Sequence, residues 1–248
     1  MKANFPKSLH ETLRYEGGWS DHPKDPGGAT MLGITLETFR RYRPMATKAE
    51  LRAISDADVE RIYRAGYADP VQFDALPSGM DHVAFDGAVN SGPSRGARWL
   101  QIGLGIKADG KIGKGTLAVA RTAEPVPVIK RAVAARAGFL RGLKTWATFG
   151  KGWSRRMAEV EAFAVVQAVG VPLTRAQEAE AWADAKRAGQ GATTGGAAGG
   201  GAAQIPDLPD WGLAVLAVAT VIVVIILIGR WRHNRARAEA YRTIEQRV

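Results

Sequence analysis

EGGWSDHPKDPGGAT (Glu16–Thr30) holds three acids, two Gly-Gly pairs and two prolines. Glycine and proline at that density break helices and strands alike, so the stretch is a loop. What stands on either side of it decides the fold. Upstream, Leu9, Leu13 and Glu16 recur at i, i+4 and i+7, the spacing of one face of an amphipathic helix. Ser8-x-x-Glu11 has the form of a capping box opening that helix. Downstream, Thr35 is placed to cap a second helix to about Tyr42. The chain therefore reads as helices interrupted by one long polar loop, with room for a small hairpin within residues 17–34.

The same spacing makes Glu16 the leading chemical candidate. An acid on the core-facing edge of a helix is costly unless it is paired or only partly desolvated. Desolvation of a carboxylic acid raises its pKa and suits it to donate a proton near neutrality. Gly17-Gly18 would end the helix and leave the carboxyl group open to a cleft. The competing reading is a surface Glu at a helix C-terminus, a position the helix dipole disfavours. Asp25 follows nine residues later and Thr30 five after that. Two carboxyl groups close in space are the minimum for hydrolysing a glycosidic bond: one protonates the leaving oxygen and the other handles water or positive charge. Thr30 could orient that water, and Gly27-Gly28 lets the backbone turn back toward Glu16. Asp21 is a rival second acid. Trp19 could stack on a sugar face or anchor the loop.

Beyond the loop the helical pattern continues. Thr47-x-x-Glu50 is a second capping box, and Ser55 starts a helix through about Gly66. Further helices are expected over 78–90, 93–103, 115–121, 126–149, 153–169 and 173–188. Hydrophobic residues make up 46% of the 248, enough for a core, and cysteine is absent, which excludes disulfides and thiol chemistry. The net charge of +10 is local: residues 95–160 carry 14 Lys and Arg against 3 Asp and Glu. Such a lobe is either a solvated basic surface or the seat of an anionic polymer, be it nucleic acid, membrane or cell wall. The four histidines are scattered without metal-ligand spacing, and no metal or cofactor is expected. Gly105-x4-Gly110-Lys111 resembles the start of a phosphate loop, but Ile112 stands where a magnesium-binding hydroxyl is required.

MKANFPKSLHETL lacks the apolar segment of a signal peptide. Trp211–Gly229, WGLAVLAVATVIVVIILIG, runs for nineteen residues without a charge, long enough to cross a bilayer as a helix. PDLPD precedes it and RWRHNRAR follows, so the excess of positive charge places the carboxyl terminus in the cytoplasm.

EGGWSDHPKDPGGATMLGIT (Glu16–Thr35) resembles the signature of the glycoside hydrolase family 108 N-acetylmuramidases. The resemblance implies a mainly α, lysozyme-like helical domain that cuts peptidoglycan glycan strands, with Glu16 as the catalytic glutamate. The order Glu, Asp, Thr is also similar to the phage-type lysozyme triad, which would map to Glu16, Asp25 and Thr30. FDGAVNSG (Phe85–Gly92) resembles the family's cleft-lining helix end. Asp86 and Asn90, at i and i+4, could bind sugar hydroxyls or N-acetyl groups; equally, Asn90 could simply cap the helix. LQIGLGIKADGKIGKGTLAV (Leu100–Val119) and FGKGWSRR (Phe149–Arg156) resemble the accompanying peptidoglycan-binding module, although Lys114 replaces the proline most relatives have.

The implied organisation is a catalytic domain (1–92), a basic wall-binding module (93–169), a polar helix (170–189), a Gly/Ala-rich linker (190–210), a transmembrane helix (211–229) and a basic cytoplasmic tail (230–248). The expected protein is a muramidase held by one span in the inner membrane, acting on the wall side and resembling holin-associated lysis enzymes, with peptidoglycan rather than nucleic acid as partner. The rivals are a lytic transglycosylase, which needs only one essential Glu, and a non-catalytic wall-binding or secretion accessory.

Overall fold

Helix starts follow the local chemistry of the chain wherever a hydroxyl can reach the first turn. The computed structural model describes residues 2–22, 27–197, 228–229, 231–244 and 246–247. Thr35 accepts from the Thr38 amide and opens α2 (Leu36–Arg40); Thr47 and Glu50 form a reciprocal capping box for α3 (Lys48–Arg52); Ser55 caps α4 (Asp56–Tyr63). Each satisfies an amide that the helix itself leaves without a partner.

The first helix corrects the capping expectation. α1 spans Phe5–Leu13, with Asn4 at its N-cap and a proline in its first turn. Ser8 is therefore an interior residue, and it is fully buried. Proline's fixed φ suits a helix start, and burying Phe5 secures that turn against the core.

Between α1 and α2 lies a two-stranded antiparallel hairpin, β1 (Thr30–Met31) and β2 (Ile34–Thr35), paired Thr30 to Thr35 and Met31 to Ile34. Ser20 bridges to Thr30 from the loop. After α4 the chain widens into a π turn (Arg64–Ala68) and two 3₁₀ turns, then enters α5 (Met80–Ser91), α6 (Pro93–Leu104), α7 (Lys114–Thr122), α8 (Pro125–Arg141) and α9 (Trp146–Ala197). Non-helical angles at Gly170 (φ 77°, ψ 168°) break α9.

Residues Met1–Ala168 make one compact unit. The boundary at 92/93 falls inside it, because α5 packs on both α6 and α8. Gly87 and Gly96 allow the first contact: a Cβ on Gly96 would lie 2.4 Å from the Ala84 carbonyl oxygen. One core cluster gathers the hairpin and α1–α4 around Phe5, Phe73 and Phe85, whose rings meet edge to face at 5.4–5.8 Å.

The second unit is Val169–Val248. Helix persists to Ala197, into the stretch expected as linker. Propagation adds one hydrogen bond per residue once a helix is nucleated, and the Ala- and Glu-rich segment before it supplies the nucleus. Residues 231–244 are helical, with Tyr241 and Ile244 fully buried. The expected span Trp211–Gly229 lies outside the described residues except for its last two. Among the described residues no helix is long and apolar enough to cross a membrane.

Candidate active site

Glu16 stands three residues past the end of α1. The Tyr15 and Glu16 amides donate to the carbonyls of Thr12 and Leu13 at 3.1 Å each. That is the tighter i→i−3 pattern, so the last turn narrows instead of continuing as the α-helix expected from the spacing. Gly17, at φ 73°, then ends the turn. The Glu16 side chain is left 20% exposed, at a rim rather than in the core.

Two structures close on this carboxylate. Arg156 of α9 donates through Nη1 and Nη2 to Glu16 Oε1, at 3.2 Å each. The hairpin turn arrives from the other chain segment. Leu32 (φ 50°) and Gly33 (φ 72°) are both left-handed, the conformation of a two-residue type I′ turn. The Tyr63 hydroxyl donates to the Leu32 carbonyl at 2.6 Å. A Cβ at position 33 would lie 2.9 Å from that hydroxyl and 3.1 Å from Glu16 Oε2. Hairpin, Tyr63 and Glu16 thus converge on a spot that admits only glycine. Burial and then the charge of Glu16 push the Tyr63 and Tyr67 phenols up, so both stay neutral donors beside the acid.

Arg156 is itself held from behind. Its Nε and Nη2 donate to Asp86 at 3.2 and 2.9 Å, and its Cζ sits 4.7 Å from the Tyr15 ring centroid. Arg136 of α8 donates to the same Asp86 at 2.5 Å, and Thr12 donates at 3.2 Å. Asp86 has no exposed surface. Burial alone would push its carboxyl up, but the Arg156 and Arg136 guanidiniums outweigh burial and hold it well below the usual carboxylate range. The expectation that Asp86 binds sugar is corrected on this ground: its oxygens face two arginines and a threonine, with no opening to a ligand. His82, one turn earlier on α5, is pushed down by burial to about 4 and meets the Phe163 ring edge to face at 4.6 Å.

The remaining expected residues are placed as follows. Thr30 lies in β1, exchanges backbone hydrogen bonds with Ser20 at 2.8 and 2.9 Å, and donates its hydroxyl to the Gly28 carbonyl at 3.1 Å. That hydroxyl oxygen can still accept. Asp25 lies outside the described residues. Asp21, its rival, has both oxygens 3.0 Å from Lys48 Nζ at the start of α3. Trp19 packs half-buried against the core, with Arg52 Cζ 5.7 Å from its ring centroid, which is an anchor's position. Asn90 is half-buried near the end of α5 and accepts from the Ser91 hydroxyl at 3.1 Å, while Gly92 (φ 89°) closes the helix. Among the described residues no group of three or more acids and histidines is placed to hold a metal ion.

The sequence profile of the glycosyl hydrolase 108 family matches residues 9–92. The chain is also 40% identical to the solved structure of Brucella abortus SagA, with a TM-score of 0.60. The likeness covers 98% of that chain and 68% of this one, a share the size of the first compact unit. The chain belongs to the glycosyl hydrolase 108 family. No curated protein sequence gives a significant match.

Membership makes the protein a glycoside hydrolase and sets Glu16 in context. Within this hydrolase the residues that sequence reasoning missed are Arg156, Arg136 and Tyr63. FGKGWSRR is assigned by resemblance to a wall-binding module, yet its Arg156 reaches the candidate acid of the first domain. A signal was available: Asp86 sits in the apolar run HVAFDGAV, and a charge in such a run requires buried cations from elsewhere.

Proposed function

We propose that the protein is a peptidoglycan N-acetylmuramidase that hydrolyses the β-1,4 bond from N-acetylmuramic acid to N-acetylglucosamine. The observation that carries this reading is Glu16. It is a partly exposed carboxylate at the end of α1, oriented by Arg156 and walled by the Gly33 turn and Tyr63. Family membership supports peptidoglycan as the substrate. Glu16 acts as general acid toward the leaving oxygen. Asp25 and Thr30 position water or balance positive charge at the anomeric carbon. Asp21 is less suited to that task, because Lys48 engages both of its oxygens. Asn90 and Trp19 contact the glycan only through edges that the helix end and Arg52 leave uncovered.

The basic segment 95–160 holds the wall, whose peptide stems carry carboxylates. The uncharged stretch Trp211–Gly229 tethers the enzyme to the inner membrane, with the hydrolase on the wall side. A tethered muramidase of this kind serves cell lysis, released to the wall by a holin or exported by a dedicated route. Digestion of purified sacculi tests the chemistry. Reducing muropeptide ends from the wild type, released about a hundredfold or more slowly by Glu16→Gln, support hydrolysis; 1,6-anhydro ends would identify a transglycosylase instead.

A further inference from the structure

Helix α9 outruns the body it packs against. From Arg156 to Val166 every residue is buried, whereas 147–149, 151–152 and 155 are exposed. The overhanging turns are not polar. Phe149 is 53% exposed, and Trp146 and Trp153 are half-buried beside it. Their rings form a continuous row: Trp146 to Trp153 at 6.0 Å and Phe149 to Trp153 at 5.7 Å between centroids. At 100° per residue, Phe149, Trp153 and Trp146 lie about 20°, 60° and 80° from Arg156 around the helix. All four therefore share one face. The row starts one turn from the arginine that grips Glu16 and extends about 15 Å from it along the axis.

The row is also braced. The Trp146 ring lies over Gly150, where a Cβ would come within 2.6 Å of its Cε2 atom. Glycine costs helix stability relative to alanine; here its bare Cα lets the indole lie flat on the helix backbone. Exposed Lys151 and Arg155 lie on the opposite side of the same turns, which leaves the ring face free of exposed charged side chains from its own helix. Rigid aromatic faces that lose little conformational entropy suit a polymer with apolar pyranose faces.

We infer that Trp146, Phe149 and Trp153 form a stacking platform that carries the peptidoglycan glycan strand away from Glu16. The inference rests on the muramidase reading for its ligand and names the side chains of segment 95–160 that take the glycan itself. Its position on the face that holds Arg156 is what favours a glycan over a lipid surface.

The test is calorimetric titration of the full-length Glu16→Gln chain with a hexamer of β-1,4-linked N-acetylglucosamine, which the inactive protein leaves uncut. Phe149→Ala and Trp153→Ala in that background should each weaken binding about tenfold. Gly150→Ala, which keeps all three rings and favours the helix, should weaken it about threefold by lifting Trp146. Thermal melting of the two ring variants should match the parent, and that of Gly150→Ala should not fall below it. Unchanged hexamer affinity overturns the inference, and loss of binding to phosphatidylcholine–phosphatidylglycerol vesicles in the same variants would then assign the rings to a membrane surface. If wild type leaves sacculi intact while Phe149→Ala still loses the hexamer, the hydrolase reading fails and the platform stands.

Discussion

Asp86 and Glu16 hold the same guanidinium, yet their surroundings give them opposite roles. Asp86 has no exposure, and two arginines and a threonine saturate its oxygens. Glu16 is 20% exposed, and Arg156 meets only its Oε1. A carboxylate saturated by buried partners holds helices together; one with a free oxygen at a rim is open to a substrate. Arg156 links the two, so the stiffness of the buried triad fixes the geometry of the exposed acid.

Breaking the buried side should have the largest effect on stability. Asp86→Asn leaves Arg136 and Arg156 buried without their anion and should cost about 3–5 kcal/mol in urea unfolding. Glu16→Gln, at the rim, should change stability by less than about 1 kcal/mol. If both variants unfold alike, the contrast between the two acids is wrong.

A second effect comes from His82, which is buried among Asp86, Arg136, Arg156 and the Phe163 ring. Its folded pKa of about 4 lies below the usual 6.5. The unfolded chain therefore binds a proton between these values while the folded one does not. Stability is full above pH 6.5 and should fall by about 3 kcal/mol as pH drops to 4. Urea midpoints across that window should slope for the wild type and flatten for His82→Gln. Below pH 4, Asp86 adds to the loss, because its folded carboxyl titrates lower than in the unfolded chain.

Gly33→Ala tests the rim. It forces a side chain into a left-handed turn, at about 1–2 kcal/mol, and drives a methyl toward Tyr63 and Glu16. Turnover should fall by about tenfold or more, a larger effect than the stability loss predicts. The smallest effect belongs to Asp21→Asn, which removes an exposed pair with Lys48 worth about 0.5 kcal/mol. Wall digestion by that variant should match wild type, whereas Asp25→Asn should reduce it severely. Equal losses would return Asp21 to candidacy.

What the sequence disclosed was local. Thr35, Thr47 with Glu50, and Ser55 are caps because a hydroxyl or carboxylate reaches an amide three residues away, and spacing alone reveals that. Ser8 has the same spacing with Glu11 and caps nothing: Pro6 and the burial of Phe5 start the helix earlier. Glu16 was legible as a rim acid from its phase with Leu9 and Leu13, although the narrowing of the last turn was not. The Asp86 cluster was illegible because its members are 50, 70 and 74 positions apart, a distance over which periodicity carries no information. The motif blocks after residue 92 suggested a separate module, yet those helices supply the arginines that hold Glu16 and Asp86 within one compact unit.

Glu16 is the proposed proton donor of a wall-cutting hydrolase and needs Arg156 only to hold it. Purified sacculi digested by wild type and by Glu16→Gln, with products read by mass spectrometry, test it most directly. The wild type should release reducing muropeptides, and the variant, with its melting temperature unchanged, should do so about 10²–10⁴-fold more slowly. Equal clearing of sacculi by the two proteins would contradict it.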